Sequence, residues 1–380
     1  MRAIREYIRG DLIPGLPDDL ALICLSRISH GYHGILECVS RRWRDTFRST
    51  EYSGLKAREG WCGNWLFVLT DEQHSVQWNA YDPEADKWHP LPMTPKDNSE
   101  SSHCGFSCVT VCKKFLVLGG YYVPLAKSGS SDPYKLTRAT NDVFCFDPFD
   151  KQWSRVTGMR TPRYDFACSV LCGKVFVAGG SDSSNKGLAE AEVYDILKDK
   201  WEDLPSMPAP LVNCFSISYD DRFHVIGRNG NLLQYYIFDP SGQSWKAVED
   251  LWQFYRLKHN ATTVLGDCIY AILDEGLKTL KISDAEPSDW SLLDGPPFVE
   301  LPGHSRKLQP TGYGFIGFRR KLYLVGGKGV KYDSDAHVFD IVKFDFTRYC
   351  EPGVLPLEWR EARAMFRSRG TVIGCAFLEE

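Results

Sequence analysis

No stretch of this 380-residue sequence approaches the run of about 18 apolar residues that a bilayer-spanning helix needs, so no membrane helix is expected. The opening Met1-Arg2-Ala3-Ile4-Arg5-Glu6 has no apolar core of the kind a secretory signal carries, which predicts a chain that is not exported. A basic surplus is missing too. Lys and Arg number 45 against 49 Asp and Glu, for a net charge of −4 and no long basic run, which argues against nonspecific nucleic-acid binding as the main role. Histidine is scarce, and the 9 present do not group as ligands of a copper centre would. There is no phosphate-binding glycine loop and no nucleophile elbow. Cysteine is not scarce, but 13 is an odd number in a chain without an export signal. The cysteines are therefore read as reduced, and the Asn260-Ala261-Thr262 sequon as without consequence.

What the sequence does have is a unit repeated at intervals of about 45 residues, the kind of period that marks stacked or radial modules. An apolar strand ends in Gly-Gly, an aromatic-Asp element follows, then a tryptophan. The clearest copy runs Lys174 to Gly180, Val193-Tyr194-Asp195 and Trp201. In the first five copies Asp precedes Trp by 6 residues: Asp82/Trp88, Asp147/Trp153, Asp195/Trp201, Asp239/Trp245 and Asp284/Trp290. The sixth is read as Asp345 and Trp359 with an insertion between them. The glycine pair is intact at Gly119-Gly120, Gly179-Gly180 and Gly326-Gly327, and reduced to Gly227 in the fourth copy. Short apolar runs bounded by glycine read as buried strands.

Each copy supplies about four short strands, and four strands in a repeat of this length form the blade of a β-propeller. The segment from Gly370 to Phe377 reads as the first strand of a blade whose other strands are missing, while the first copy, starting at Trp65, lacks a strand before it. Residues 371–377 are therefore expected to complete the blade of residues 64–92. That gives six blades and no open sheet edge. The repeated aromatics Tyr81, Tyr194, Trp88, Trp153, Trp201 and Trp245 are assigned to packing between blades rather than to a binding cage. Across residues 62–380 the pattern resembles the kelch repeat, whose marks are the di-glycine and the spaced Tyr and Trp.

The first fifty residues do not share the repeat. Leu16-Pro17-Asp18-Asp19-Leu20 predicts a helix start, because proline pre-sets φ and the carboxylates favour the positive end of the helix dipole. A second helix is expected from Tyr32 to Arg42, followed by Trp43. So short a segment cannot bury all of its apolar surface by itself. Leu-Pro-Asp-Asp-Leu at the start and Cys38-Val39-Ser40-Arg41-Arg42-Trp43-Arg44 near the end resemble the F-box. The resemblance implies a three-helix segment over residues 12–52 that binds the Skp1 adaptor of cullin-RING ubiquitin ligases. It also implies Leu16, Pro17, Leu20, Leu25, Ile28, Leu36, Val39 and Trp43 as the Skp1-facing set. Residues 53–62 are read as a linker with a packed junction at Trp61 and Trp65, and residues 63–380 as the propeller. An F-box followed directly by kelch repeats is similar to the plant F-box/kelch proteins.

Adjacent strands in a blade run antiparallel, so the loops after the Gly-Gly strands and the loops between blades emerge on one face. That face carries the length variation expected of a target site on a rigid scaffold. Arg163, Tyr164, Trp252, Tyr255, Arg256 and Arg369 are its candidate anchors, since Arg, Tyr and Trp dominate interface hot spots. Cys104, Cys108 and Cys112, with His103 beside them, are read as strand residues rather than metal ligands. No catalytic residue, metal or cofactor is expected. The expected activity is that of a substrate-recognition subunit, with a Skp1-type adaptor, cullin and RING subunit as partners, in the cytoplasm or nucleus. The alternatives are a scaffold whose helices only cap the propeller, and a propeller enzyme.

Overall fold

The computed structural model describes residues 11–59, 63–72, 75–95, 101–124, 138–148, 151–249, 257, 261–273, 276–281, 291–293, 299–300, 307–308, 311–333, 338–354, 356–365 and 371–378. Its strands form six four-stranded antiparallel sheets. Five take their strands in chain order, two of them with an added strand or ribbon inserted. The sixth joins the chain ends: Thr371–Leu378 pairs antiparallel with Trp65–Glu72, placing Leu378 opposite Trp65 and Phe377 opposite Leu66, with a bulge at Leu69/Thr70. The expected closure of a six-bladed ring is what the structure shows.

The shared residues now have physical reasons. The second strand of a blade lies inside the disc, so both its faces are covered and it reads as a continuous apolar run. Lys114–Leu118, Lys174–Ala178 and Lys321–Val325 each expose only the leading lysine in part and bury the four residues after it. The di-glycine ends this strand where another backbone crosses it. A Cβ on Gly180, at φ +86, would lie 2.5 Å from the carbonyl oxygen of Tyr164, so no other residue fits.

The aspartate of the Asp-Trp pair closes the hairpin between the third and fourth strands. Asp82 Oδ1 accepts from the amides of Glu84 and Ala85, and Asp195 Oδ1 from those of Leu197 and Lys198. Asp239 repeats the turn with Ser241 and Gly242, and these hydrogen bonds hold its carboxyl below the usual range. The turn sets the register in which Tyr81 faces Trp88 and Tyr194 faces Trp201, with ring centroids 5.0 and 4.9 Å apart. Four of the repeat indoles then donate their N–H to the preceding blade. Trp153 bonds the carbonyl of Pro92 at 2.8 Å, Trp201 that of Thr157 at 2.8 Å and Trp245 that of Pro205 at 2.6 Å. Trp88 carries the series across the closure to Arg363, at 2.8 Å. The repeated aromatics pack between blades, as expected.

Three details differ from the sequence reading. In the sixth copy, the residue at the aspartate's place is Glu351, not Asp345. Cys350 sits opposite Leu322 as Phe146 sits opposite Phe115. Lys321 reaches Glu351 at 3.7 Å as Lys114 reaches Asp147 at 3.4 Å. The insertion precedes this position: Lys328–Asp333 and Val338–Lys343 form an added ribbon. Tyr121–Pro124, read as loop, is likewise a strand, paired with Ser101–Cys104 of the connection between the first two blades. Finally, among the described residues the N-terminal segment holds four α-helices, Asp18–Ser26, His33–Leu36, Arg41–Phe47 and Thr50–Glu59, plus a 3-10 turn at His30–Tyr32. The last helix runs through most of the expected linker, because Tyr52 and Lys56 are buried among the earlier ones.

Candidate functional site

The N-terminal helices are organised around Leu12, Ala21, Leu25, Phe47 and Tyr52. Ser40 caps the Arg41–Phe47 helix by accepting from the amide of Trp43 at 3.0 Å, and the Trp43 indole donates to the Leu12 carbonyl at 2.7 Å. Lys56 is buried, and its ammonium donates to the carbonyls of Ser26 and Ile28 at 2.7 Å each, a cation at the C-terminal end of the first helix. The spacing pattern gives no hint of that role. His33 is also buried, 3.0 Å from the Tyr52 hydroxyl, and desolvation pulls its pKa down to about 3.

This core sorts the expected adaptor-facing set. Leu25 is 2% exposed and belongs to the interior; that reading is corrected, because its side chain is spent on the segment's own core. Leu16, Ile28, Leu36 and Trp43 pack against the core while remaining partly accessible. Pro17, Leu20 and Val39 are exposed, Leu20 at 47% and Val39 at 61%. Ile23 at 37% and Ile35 at 64% are exposed as well, and were not in that set. A period that is apolar on nearly every position does not reveal which face a short helix turns outward.

The helices sit against the first blade. The Ser29 hydroxyl donates to Asp82 Oδ2 at 2.5 Å, so the turn aspartate of that blade also anchors the segment. Lys87 Nζ lies 4.5 Å from the centre of the Tyr32 ring. A Cβ on Gly31 would stand 2.4 Å from His89 Nε2, so the imidazole of the first blade packs directly on the glycine backbone. Trp65 is buried beside His89, ring centroids 5.6 Å apart, and a cavity of about 260 Å³ remains between Gly31, Gly34, Trp65 and Lys151. Trp61 lies outside the described residues.

The other surface is the loop face of the disc. The loops after the Gly-Gly strands and those between blades meet there by backbone bridges, Tyr164 with Ser181, Leu188 with Leu211 and Thr311 with Lys328. Arg163 is not on it. It is 0% exposed, and it donates to Glu192 at 2.7 Å and to the carbonyls of Gly179 and Glu190 at 2.9 Å each. Its reading as a surface anchor is corrected: the planar five-donor guanidinium ties the connection between blades to the di-glycine. Tyr164 does stand on this face, its hydroxyl donating to Asn185 Oδ1 at 2.5 Å and its ring set edge-on to Tyr121. Trp252, Tyr255, Arg256 and Arg369 lie outside the described residues.

At the centre of this face the channel opens into a recess of about 330 Å³, lined in part by Phe106, Asp165, Phe166, Asn213, Phe215 and Arg228. Sequence reasoning passed over these residues, because the repeat marks framework positions and these are the ones that vary at the inner rim. Below it the inner strands bring Cys108, Cys168 and Cys375 to the channel wall, where burial raises all three thiols, Cys375 to about 12. Among the described residues no group of three or more His, Cys, Asp or Glu is arranged to hold a metal ion. His103 instead stacks on Tyr122 and Phe106. Also among the described residues, no helix is long and apolar enough to cross a membrane.

Comparison with known proteins finds two family motifs along the chain. A family model for the F-box domain matches residues 13–52, and one for the Kelch motif matches residues 102–160 and 162–208. An F-box/kelch-repeat protein of Arabidopsis thaliana is 47% identical over 382 residues, covering 99% of each chain. Two more from the same plant are 27% identical over 98% of this chain and 99% of theirs, and 28% identical over 88% and 86%.

Proposed function

Because the chain belongs to the plant-type F-box/kelch-repeat family, we propose that it is the substrate-recognition subunit of a Skp1-cullin-F-box E3 ubiquitin ligase. The helical segment holds a Skp1-type adaptor, and through it the cullin and RING subunit. The loop face of the propeller holds a target protein. The observation that carries this reading is the pair of separate surfaces on one body. Leu20, Ile23, Ile35 and Val39 stay exposed on the helices although these helices are docked on the first blade. If they only capped the propeller, the apolar side chains would be turned onto it.

The mechanism is tethering without bond chemistry in this chain. Target lysines and a ubiquitin-charged enzyme are held on one assembly, which raises their effective concentration. A packed junction serves this better than a loose one, since freedom between the two surfaces dilutes the encounter. The reading calls on no cofactor, nucleic acid or membrane. It places the protein in the cytoplasm, the nucleus or both, in keeping with the described cysteines all being free.

The test is capture of a Skp1-type adaptor by the purified full chain. Leu20→Asp combined with Val39→Asp is expected to reduce capture at least about tenfold, as loss of interface anchors does. The unfolding midpoint should stay unchanged, because both side chains are exposed. Undiminished capture by the double variant, or no capture by the natural chain, would leave the helices as a cap and this reading without support.

A further inference from the structure

Among the described residues, the recess at the channel mouth holds a charged side chain that is partly buried and left without a counterpart. Asp165 carries it. Its backbone is held on both sides: its amide donates to the Gly105 carbonyl at 2.8 Å, and its own carbonyl accepts from Cys214 at 2.8 Å. Its φ of 48° is left-handed, which asparagine and aspartate tolerate best, and which turns the side chain over Gly105. A Cβ on Gly105 would stand 3.0 Å from Asp165 Oδ1, so the glycine makes room for the carboxylate. Among the described residues no hydrogen bond or ion pair reaches that carboxylate, and burial raises its pKa. Phe106, Phe166 and Phe215 supply apolar walls. Arg228 lines the recess too, donating only at 3.5 Å to the Asn231 carbonyl.

We propose that this recess receives a basic side chain, a lysine or arginine, presented by the bound target. The proposal rests on the reading of the loop face as the target site. A cationic head pairs with Asp165, and the aliphatic stem lies along the phenylalanine rings, where cation–π attraction adds to apolar contact. Arg228 then meets an acceptor on the same segment, a peptide carbonyl or a neighbouring carboxylate. The volume is at the low end of the range of about 300–1,000 Å³ typical of specific pockets, which suits one inserted side chain. Because the carboxylate is already partly out of water, pairing costs it less further desolvation than it would a fully hydrated carboxylate.

The experiment incubates the full chain, copurified with a Skp1-type adaptor, with an array of synthetic nonapeptides of randomised sequence. The natural chain is expected to select peptides with lysine or arginine at one position, and Asp165→Asn to weaken the selected peptides at least about tenfold. Arg228→Gln is expected to keep the basic preference. Both variants should unfold at the natural midpoint, which separates lost recognition from lost fold. A selected pool without a basic preference, no selected pool, or equal binding by Asp165→Asn overturns the inference. Adaptor capture in the same preparation reports separately on the adaptor reading: capture with no basic preference leaves that reading standing and removes only the recess.

Discussion

At the residue scale, two glycines with similar dihedrals have different work. Gly173 lies at φ +71 in the hairpin between the first two strands of the third blade, and a Cβ there would meet nothing within 4 Å. Gly180 lies at φ +86 with the Tyr164 carbonyl oxygen 2.5 Å from where its Cβ would be. Gly173→Ala is expected to cost about 1–2 kcal/mol, the strain of a left-handed alanine. Gly180→Ala should cost clearly more, because the connection between blades has to shift. Denaturant midpoints of the two variants measure the difference, and equal costs would refute the close-approach account. The sequence marked the glycine pair but not this ranking, since the clashing atom belongs to a segment 16 residues away.

At the element scale the unit is the hairpin of third and fourth strands, and what it contributes is a hydrogen bond out of the blade. Four tryptophans donate to the exit of the preceding blade, so the ring is stitched by one repeated contact. Trp201→Phe keeps most of the ring contact with Tyr194 and removes the bond to Thr157. It is expected to cost about 1–3 kcal/mol, because the Thr157 carbonyl loses its donor. Thermal unfolding of this variant beside Leu197→Ser, a change at a side chain 86% exposed, isolates the term. A null effect at Trp201 would make the stitch decorative. The invariant Asp-to-Trp spacing was visible in the sequence because a turn geometry enforces it. The sixth copy was misplaced because an inserted ribbon carries no such signature, and only pairing identifies Glu351.

At the scale of the whole molecule the helical segment and the disc share one seam, and acid is expected to act on both sides of it. His33 inside the helices and His224 inside the fourth blade are both desolvated, with pKa values drawn down to about 3 and about 4. In the unfolded chain each takes a proton near pH 6.5. Between pH 6.5 and those folded values the unfolded state binds more protons, so stability falls as pH falls and is unaffected above about pH 7. The slope should approach about 1.4 kcal/mol per pH unit for each histidine. His33→Gln is expected to flatten the acid limb for the helices alone, read by hydrogen exchange at residues 18–59 against the propeller. An unchanged acid limb would assign the loss to other groups. The buried histidine was not readable in advance, since His33 stands in a stretch with no apolar period to mark its face.

The sequence alone determined the number of modules, their four-strand content, the closure by the terminal strand and the separate helical start. Each of these is written in local spacing, and spacing survives without knowledge of the third dimension. The tertiary structure decided which side chains face outward. Arg163, offered by its type as a surface anchor, is a buried tie, while Asp165, two residues on, lines the recess at the channel mouth. Leu25 turned inward and Leu20 outward on one helix. Exposure depends on what another part of the chain lays over a residue, and in a ring of repeats that neighbour belongs to the next blade.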